Sequence, residues 1–437
     1  MARPPSISSF AAPETAAPPK ENAEHLNRII EDDIKKDSAK RKEEKKREVR
    51  VMLLGQAESG KSTLRKQFQI CYASKSLEGE RPCWKPVVYF NITKAVRLIF
   101  NELEYQFSEH GHTLEAPKAV QQQISELRNK LLPLIALEDS LASHLNGGVT
   151  IGSGGRGAFV RSGWQALVGG PSQSDVKTVE AAARVAEVSI LAAKTLGSSL
   201  SDVQTLWAHP TVKLLVHDRK VRLEDSAAFF LNEIARIAEP DYIPTTDDIL
   251  NVRLQTLGVI EHSLPISMGG LSYNWKIYDV AGACGQRQAW VPYFDDATAI
   301  IFLAPISAYD QYLEEDPKIN RIEDSLQLFS SVCSNQLLKD AHLVLLLNKT
   351  DLLRKKLAAG ISISKYITSY GNRPNDYDTA AQYFKTHFQQ VHKRKDFPHR
   401  VLWSHYTSML DIKATQSIIS SVGEGIIRKH ISEVGLT

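Results

Sequence analysis

One segment, Gly55–Ser62, constrains the fold of this chain more than any other. It reads GQAESGKS and matches the pattern G-x-x-x-x-G-K-[ST]. A short apolar run rich in β-branched residues, at 49–54, comes before it, and an apolar helical pattern at 64–70 follows. A strand, a glycine-rich loop and a helix in this order predict a binding site for phosphate groups.

The residue types in this phosphate loop fit that chemistry. Glycines let successive backbone N–H groups converge on an anion, and the N-terminus of the following helix adds the positive end of its dipole. Lys61 supplies a positive charge, and the hydroxyl of Ser62 can bind Mg²⁺. The context of strand and helix therefore favours nucleotide binding over an isolated glycine-rich turn.

Three further apolar runs have the length of buried strands. They lie at residues 275–280, 299–305 and 342–348, and stretches with helical periodicity separate them. Continuous apolar strands between helices are typical of a parallel sheet that is covered on both faces. The predicted fold class is α/β, with a mostly parallel sheet flanked by helices.

The nucleotide-binding domain is interrupted by a long insertion. We assign residues 49–72 and 246–437 to that domain and residues 73–245 to an inserted all-helical domain, where apolar residues recur at helical spacing without a convincing buried strand. Within the insertion, residues 147–170 contain nine glycines, which predicts a flexible loop.

The N-terminal region differs from both domains. Residues 1–20 are rich in proline, serine and alanine and predict a disordered tail. Residues 21–48 are mostly charged, with a narrow apolar stripe that includes Leu26 and Ile30. This pattern predicts a helix, either solvated on all sides or docked on a partner.

Composition excludes several classes of function. The chain has 53 Lys and Arg against 50 Asp and Glu, a net charge of +3, so binding of nucleic acid as the main function is disfavoured. Four scattered cysteines suit neither a disulfide framework nor a cysteine-based zinc site. Because no apolar stretch of about 18 residues and no secretory leader pattern is present, we expect a soluble cytoplasmic protein.

Two strand ends supply further candidate ligands. Asp279 lies at the end of the apolar run at 275–280 and can hold Mg²⁺ through water, opposite Ser62. The sequence NKTD, from Asn348 to Asp351, ends another run. A carboxylate there can accept hydrogen bonds from N1–H and the 2-amino group of guanine, whereas adenine has no such pair of donors. GTP is therefore favoured over ATP.

Several longer strings carry a resemblance to a known family. They include REVRVMLLGQAESGKSTLRKQ, FFLNEIARIAEPDYIPTTDDIL, LLLNKTDLL and a final VGLT. In this order they resemble the alpha subunits of heterotrimeric G proteins, from about residue 21 to the C-terminus except for the glycine-rich loop and some helical-domain sequence that flanks it. The resemblance implies a P-loop GTPase domain with an inserted all-helical domain, in a divergent member of fungal type.

The resemblance also implies roles for individual residues. Arg253 matches a catalytic arginine supplied by the same chain, and Glu58 matches its ion-pair partner. Thr256 matches a threonine that binds Mg²⁺ with Ser62, while Gly282 matches a residue whose backbone N–H meets the γ-phosphate. The expected metal ligands are thus Ser62 and Thr256, with Asp279 acting through water.

The phosphate loop, the guanine motif and the resemblance together define the expected nucleotide site. Asp225 and Ser226 match residues that approach the nucleotide from the helical domain, although an N-cap role explains them nearly as well. The expected nucleotide-binding residues are Glu58, Ser59, Gly60, Lys61, Ser62, Thr63, Asp225, Ser226, Leu250, Arg253, Thr256, Gly282, Asn348, Lys349, Asp351 and Met409.

The sequence departs from the family at the catalytic glutamine. The family pattern Asp-Val-Gly-Gly-Gln-Arg reaches a tryptophan eleven residues after its aspartate, and Asp279 and Trp290 keep that spacing. Without gaps, Ala283 replaces the glutamine that orients the attacking water, which predicts slow hydrolysis. An alternative alignment with a three-residue insertion places Gln286 at that position and predicts an ordinary rate.

Two other departures concern nucleotide exchange and lipid anchoring. Met409 stands where the family has an alanine beside the base, which predicts a lower nucleotide affinity or faster exchange. Ala2 stands where myristoylation needs glycine, and no cysteine precedes Cys71 to accept palmitate. We expect a peripheral protein at the inner face of the plasma membrane that is held there by its partners.

The function implied is a signal transducer that cycles between GDP and GTP, with Mg²⁺ as cofactor. The alternative is a GTP-binding interaction module with negligible catalysis, which Ala283 favours and Arg253 disfavours. The resemblance implies a G protein beta-gamma dimer as a partner and a G protein-coupled receptor that contacts the C-terminal helix, whose tip is Val434–Thr437. Effector and GTPase-activating regulator stay unassigned, and nucleic acid is not expected.

Overall fold

The structure is a computed structural model of the 437-residue chain. It describes residues 28, 31–32, 35–38, 46–108, 117–146, 159–160, 176–218, 221, 223, 226–268, 270–398 and 400–434. Two compact units result, residues 1–48 and 49–437, and the described residues of the first unit before Arg47 are helical. The predicted disordered tail lies outside the described residues, as does the predicted loop at 147–170 apart from two residues.

The described residues form strands and helices in the following order. The strands are β1 (Glu48–Leu54), β2 (Phe159–Val160), β3 (Gln255–Thr256), β4 (Val259–Met268), β5 (Leu271–Val280), β6 (Ala299–Pro305), β7 (His342–Asn348) and β8 (Leu402–Tyr406). The α-helices are α1 (Lys61–Tyr72), α2 (Ser74–Phe107), α3 (Lys118–Leu145), α4 (Val176–Ser198), α5 (Leu200–Ala208), α6 (Pro210–His217), α7 (Ala227–Asn232), α8 (Ile234–Ile237), α9 (Thr246–Asn251), α10 (Arg321–Cys333), α11 (Thr350–Ala358), α12 (Tyr377–Lys395) and α13 (Ile412–Val434).

Six strands form one sheet, in the order β4-β5-β1-β6-β7-β8. The pairs β1–β6, β6–β7 and β7–β8 are parallel, while β4 and β5 are antiparallel. Every residue of β6 and β7 is buried, as their continuous apolar runs predict. The prediction of an α/β fold with a mostly parallel sheet is confirmed.

Helices cover both faces of this sheet. Side chains of β6 alternate, so that Phe302 packs with α10 and α12 on one face, and Leu303 packs with α1 and α13 on the other. On the first face the rings of Phe302 and Phe329 lie 5.0 Å apart, and Phe388 contacts both. On the second face Phe68 packs on Trp275 of β5.

Two edge strands escaped prediction. β4 alternates buried and exposed residues and contains Pro265, which breaks the apolar run that identifies a buried strand. A proline is tolerated there because β4 is the last strand of the sheet and pairs on one side only. β8, the other edge, has five residues and none of them is fully buried.

The helices from α2 to α9 share a separate apolar core. It is formed by side chains such as Trp84, Phe100, Leu131 and Phe230. Helix α2 is 34 residues long and includes Pro82 and Pro86 within its first half. The helical pattern of the insertion thus corresponds to helices that pack on one another.

The expectation of an all-helical insertion is incomplete, because residues 159–160 form β2. This strand pairs in parallel with β3, so that Phe159 lies opposite Gln255 and Val160 opposite Thr256. A pair of residues inside a glycine-rich stretch carries no periodic signal, and its partner is distant in the sequence. Only the tertiary arrangement could reveal this pairing.

The aromatic cluster of the first face predicts a large loss of stability on truncation. Phe302 is fully buried, so Phe302→Ala should lower the free energy of unfolding by about 3–5 kcal/mol. Chemical denaturation at a fixed nucleotide concentration measures this change. The control Tyr105→Ala removes a ring that is 56% exposed and should cost about 0.5 kcal/mol or less. Equal losses in both variants would contradict the assignment of Phe302 to the core.

Candidate nucleotide-binding site

The phosphate loop lies between the end of β1 and the start of α1. Gly60 has φ 104° and an added Cβ would lie 2.4 Å from Asn348 Nδ2, so a larger residue does not fit there. The Asn348 side chain donates to the carbonyl oxygen of Ser59 over 2.8 Å. Asn348, at the end of β7, therefore holds the phosphate loop in place through its backbone.

Lys61 is a buried cation that the loop itself surrounds. Its ammonium donates to the carbonyl oxygens of Gly55 at 2.8 Å and Gln56 at 2.7 Å. Burial lowers the pKa of Lys61 to about 8, although the negative charge of Asp279 opposes this shift. An anion bound in the loop would offset the cost of burying this charge.

Three oxygen-bearing side chains meet beside the loop. Ser62 Oγ lies 3.2 Å from Thr256 Oγ1, and the Thr256 hydroxyl donates to Asp279 Oδ2 over 3.4 Å. Asp279 is 3% exposed, and its second oxygen, Oδ1, has no hydrogen-bond partner among the described residues. A buried carboxylate oxygen without a partner is costly, and hard oxygen ligands of this kind suit Mg²⁺. These residues fit a magnesium ion.

The carboxylate of Glu58 lies between two arginines. Arg253 Nη2 donates to Glu58 Oε1 over 2.5 Å, and Arg321 Nη1 donates to Glu58 Oε2 over 3.2 Å. Burial alone would raise the pKa of Glu58, but Arg253, Arg321 and Lys349 hold it at about 2. The pair of Glu58 and Arg253 expected from the resemblance is present.

Gly282 presses against the phosphate loop after the end of β5. A Cβ on Gly282 would lie 2.4 Å from the backbone N of Ala57, so this close approach requires glycine. Ala283 follows directly and precedes a 3₁₀ helix, Cys284–Tyr293. From this helix Gln286 Oε1 accepts a hydrogen bond from the backbone N–H of Gly258 over 3.4 Å.

The NKTD motif and residues 407–409 form a second corner of the site. Thr407 donates to Asn348 Oδ1 over 3.2 Å, and Ser408 donates to Asp351 Oδ1 over 2.9 Å. Lys349 has φ 62°, a left-handed conformation that turns the chain sharply after β7. The side chain of Met409 packs into the apolar core below, while its carbonyl oxygen accepts from Gln67.

A family model matches most of the chain. The model described as G-protein alpha subunit matches residues 25–426. The chain belongs to the G-protein alpha subunit family. Its members bind guanine nucleotides and hydrolyse GTP, so this alpha subunit is a guanine-nucleotide-binding signal transducer of a GTPase family. The predicted family is confirmed.

Family membership also gives the general setting of the protein. G-protein alpha subunits bind Mg²⁺ together with the nucleotide, and they work with beta-gamma dimers and receptors. Among the residues that the structure describes, no helix has the length and apolar character required to cross a bilayer.

The remaining described residues that the sequence predicts for the nucleotide site of this alpha subunit lie on or beside several different helices. Thr63 lies in the first turn of α1, and Leu250 is buried in α9. Ser226 is at the N-cap position of α7 but makes no capping hydrogen bond with its side chain. It lines a small cavity with Asn91 of α2. Asp225 lies outside the described residues.

Sequence reasoning missed the contact between Gln56 in the phosphate loop and Arg321 in α10. Gln56 occupies a free position of the loop motif, and Arg321 lies in the first turn of α10. The available signal was weak. Positive charge is disfavoured at a helix N-terminus, yet Arg321 is the first residue of α10, two residues before the acidic Glu323.

The depressed pKa of Glu58 predicts a pH-dependent contribution to stability. Because this pKa is about 2, below the ordinary value of 4.5, the stabilisation is complete above pH 4.5 and is lost as the pH falls towards 2. Glu58→Gln should therefore destabilise the protein at neutral pH, and the difference from wild type should shrink below pH 4.5. Urea unfolding of both proteins at several pH values measures it.

The control for this experiment is Glu187→Gln, which changes an exposed carboxylate on α4. It should leave the unfolding free energy nearly unchanged across the same pH range. A Glu58→Gln difference that stays constant as the pH falls would show that the arginines do not stabilise the ionised carboxylate.

Proposed function

We propose that this alpha subunit is a switch that binds GTP with Mg²⁺, hydrolyses it slowly, and couples a membrane receptor to effectors. The observation that carries the proposal is that Ser62, Thr256 and Asp279 meet beside the buried Lys61. Among the described residues, Asp279 Oδ1 has no hydrogen-bond partner. This arrangement supplies oxygen ligands for a metal ion next to a cation for phosphate. Both are needed to hold a nucleoside triphosphate.

Each group has a role that follows from its chemistry. Lys61 and the loop N–H groups would neutralise the phosphates, and Ser62, Thr256 and, through water, Asp279 would hold Mg²⁺. When bound, Mg²⁺ offsets negative charge on the phosphate oxygens. Thr256 would hold the metal only together with a bound triphosphate, so the segment around Thr256 would be more ordered with GTP than with GDP.

Hydrolysis requires charge stabilisation at the γ-phosphate. A water oxygen attacks the γ-phosphorus, the bond to the bridging oxygen breaks, and the products are GDP and phosphate. Arg253 would stabilise the negative charge that develops on the γ-phosphate oxygens, because its guanidinium lies at the edge of the phosphate loop, against Glu58. Arg253 would exchange this carboxylate partner for phosphate oxygens.

Ala283 supports the slow rate in this proposal. Gly282 lies against the phosphate loop, and Ala283 is the next residue, where a side chain could reach the attacking water. Alanine has no group that could orient that water. Gln286 is the alternative candidate, because its carboxamide is bound to Gly258, two residues after Thr256.

The arrangement of Asp351, Ser408 and Met409 favours guanine as the bound base. Asp351 keeps one carboxylate oxygen bonded to Ser408, which orients the carboxylate for the paired donors of a guanine edge. The backbone N–H of Met409 would meet the base oxygen. Asn348 joins this corner to the phosphate loop through Ser59, so base and phosphates are held by one connected framework.

Family membership and the position of α13 support a beta-gamma dimer and a receptor as partners. The first turn of α13 contacts the base corner, because Thr415 donates to the carbonyl oxygen of Ser408 over 3.1 Å. A receptor that displaced α13 would therefore disturb the base site and release GDP. We place the protein at the inner face of the plasma membrane, held by a beta-gamma dimer and a receptor. Residues 435–437 lie outside the described residues.

Single-turnover hydrolysis of preloaded GTP tests the slow rate. We expect Ala283→Gln to speed hydrolysis at least about tenfold, because a positioned carboxamide would orient the attacking water. Gln286→Ala should leave the slow rate unchanged. Nucleotide binding is measured in each variant, so that a folding defect is not mistaken for a loss of catalysis.

Two other outcomes would overturn this proposal in different ways. An ordinary family rate in wild type that Gln286→Ala abolishes would make Gln286 the catalytic glutamine. GTP binding without turnover in wild type and in Ala283→Gln would make the protein a GTP-binding interaction module.

The base assignment predicts a change of specificity. Asp351→Ala should weaken GTP binding about 10- to 100-fold, because hydrogen bonds to a charged acceptor contribute about 1.5–3 kcal/mol. The affinity for ATP should not fall, so the ratio of GTP affinity to ATP affinity should decrease. Competition of GTP and ATP against a fluorescent guanine nucleotide measures both affinities. Asp139→Ala, at an exposed position on α3, should leave both unchanged. Equal losses for GTP and ATP would refute the role of Asp351.

A further inference from the structure

A reciprocal pair of hydrogen bonds joins the phosphate loop to α10. Gln56 Nε2 donates to the carbonyl oxygen of Arg321 over 2.8 Å, and Arg321 Nε donates to Gln56 Oε1 over 3.2 Å. Gln56 is 1% exposed and Arg321 is 8% exposed. Because both partners are buried, losing one would leave donors and acceptors unsatisfied in the interior.

The same guanidinium reaches the next two residues of the loop. Arg321 Nη2 donates to the carbonyl oxygen of Ala57 over 2.5 Å, and Arg321 Nη1 donates to Glu58 over 3.2 Å. A planar fork of donors can hold several acceptors only in one orientation. Arg321 therefore fixes three consecutive loop residues, and Gln56 fixes the plane of Arg321.

Glu58 transmits this constraint to Arg253. Its backbone is in the left-handed region at φ 59°, a conformation that non-glycine residues rarely adopt and that the surroundings must maintain. Its two carboxylate oxygens are divided, Oε2 to Arg321 and Oε1 to Arg253. The position of Arg253 at the edge of the loop thus depends on how Arg321 holds Glu58.

We propose that Gln56 and Arg321 are positioning residues for GTP hydrolysis that act through Glu58 to align Arg253. This inference rests on the catalytic role proposed above for Arg253. Without the Gln56 carboxamide, Arg321 is free to tilt, Glu58 shifts with it, and Arg253 starts from a less favourable position. Small displacements of a catalytic group lower the rate without abolishing nucleotide binding.

A double-mutant cycle tests the proposal, with single-turnover hydrolysis of preloaded GTP as the readout. Gln56→Met keeps the volume of the side chain and removes its polar atoms. We expect it to slow hydrolysis about tenfold in the wild-type background and less than about twofold in the Arg253→Ala background. A merely structural role of Gln56 would give the same factor in both backgrounds.

Gln311→Ala is the matched control. Gln311 Oε1 accepts from the same Arg321 Nη1 over 3.0 Å, yet Gln311 does not belong to the phosphate loop. We expect its hydrolysis rate to stay within about twofold of wild type. Should Gln56→Met fail to bind GTP, Gln56→Asn, whose carboxamide is one methylene short of Arg321, replaces it in the same cycle.

The outcomes separate this inference from the proposed function. If Arg253→Ala slows hydrolysis but Gln56→Met has equal effects in both backgrounds, Gln56 does not act through Arg253 and the inference is wrong. If Arg253→Ala does not slow hydrolysis, the proposed role of Arg253 fails, and the inference fails with it. A tenfold effect that is present only when Arg253 is present supports both.

Discussion

The parallel pairing of β1, β6 and β7 is the constraint on which the rest of the site depends. Parallel strands end at the same edge of a sheet, so the loop after β1 and the motif after β7 must lie side by side. Asn348 and Ser59 are 289 residues apart in the chain, yet they are joined by one hydrogen bond. Complete burial of β6 and β7 makes any other register costly, because it would expose apolar side chains.

Charged side chains around the phosphate loop also hold the site together. Lys61, Glu58, Arg253 and Arg321 lie within one small region, and each finds a partner among its neighbours. Lys61 and Arg321 are buried, whereas Glu58 and Arg253 are half-buried. Such ion pairs contribute little to net stability, but removing one partner leaves the other charge uncompensated and is destabilising. The arrangement therefore maintains a defined geometry around the phosphate loop. It also holds the Arg253 guanidinium against Glu58 at the phosphate loop.

Most of the central sheet and much of the site could be predicted from the sequence, and particular residues show why. β6 and β7 are continuous apolar runs, and the phosphate loop and NKTD motif follow strands, so local pattern and chemistry agreed there. β4 and β8 were missed because edge strands are half exposed and lack that pattern. Gln56 and Arg321 were missed because their contact joins positions 265 residues apart.

The sequence by itself determined which residue types are present: the glycine-rich loop with Lys61 and Ser62, the NKTD motif from Asn348 to Asp351, and alanine at position 283. These depend on residue type and short spacing, which the chain carries locally. Only the tertiary structure decided how the groups cooperate. Asp279 Oδ1 has no hydrogen-bond partner among the described residues. Glu58 binds both Arg253 and Arg321, and Gln56 binds Arg321. These contacts form only when the sheet brings distant segments together. Gln56 and Asp279 are buried, so water cannot replace a partner that either of them loses.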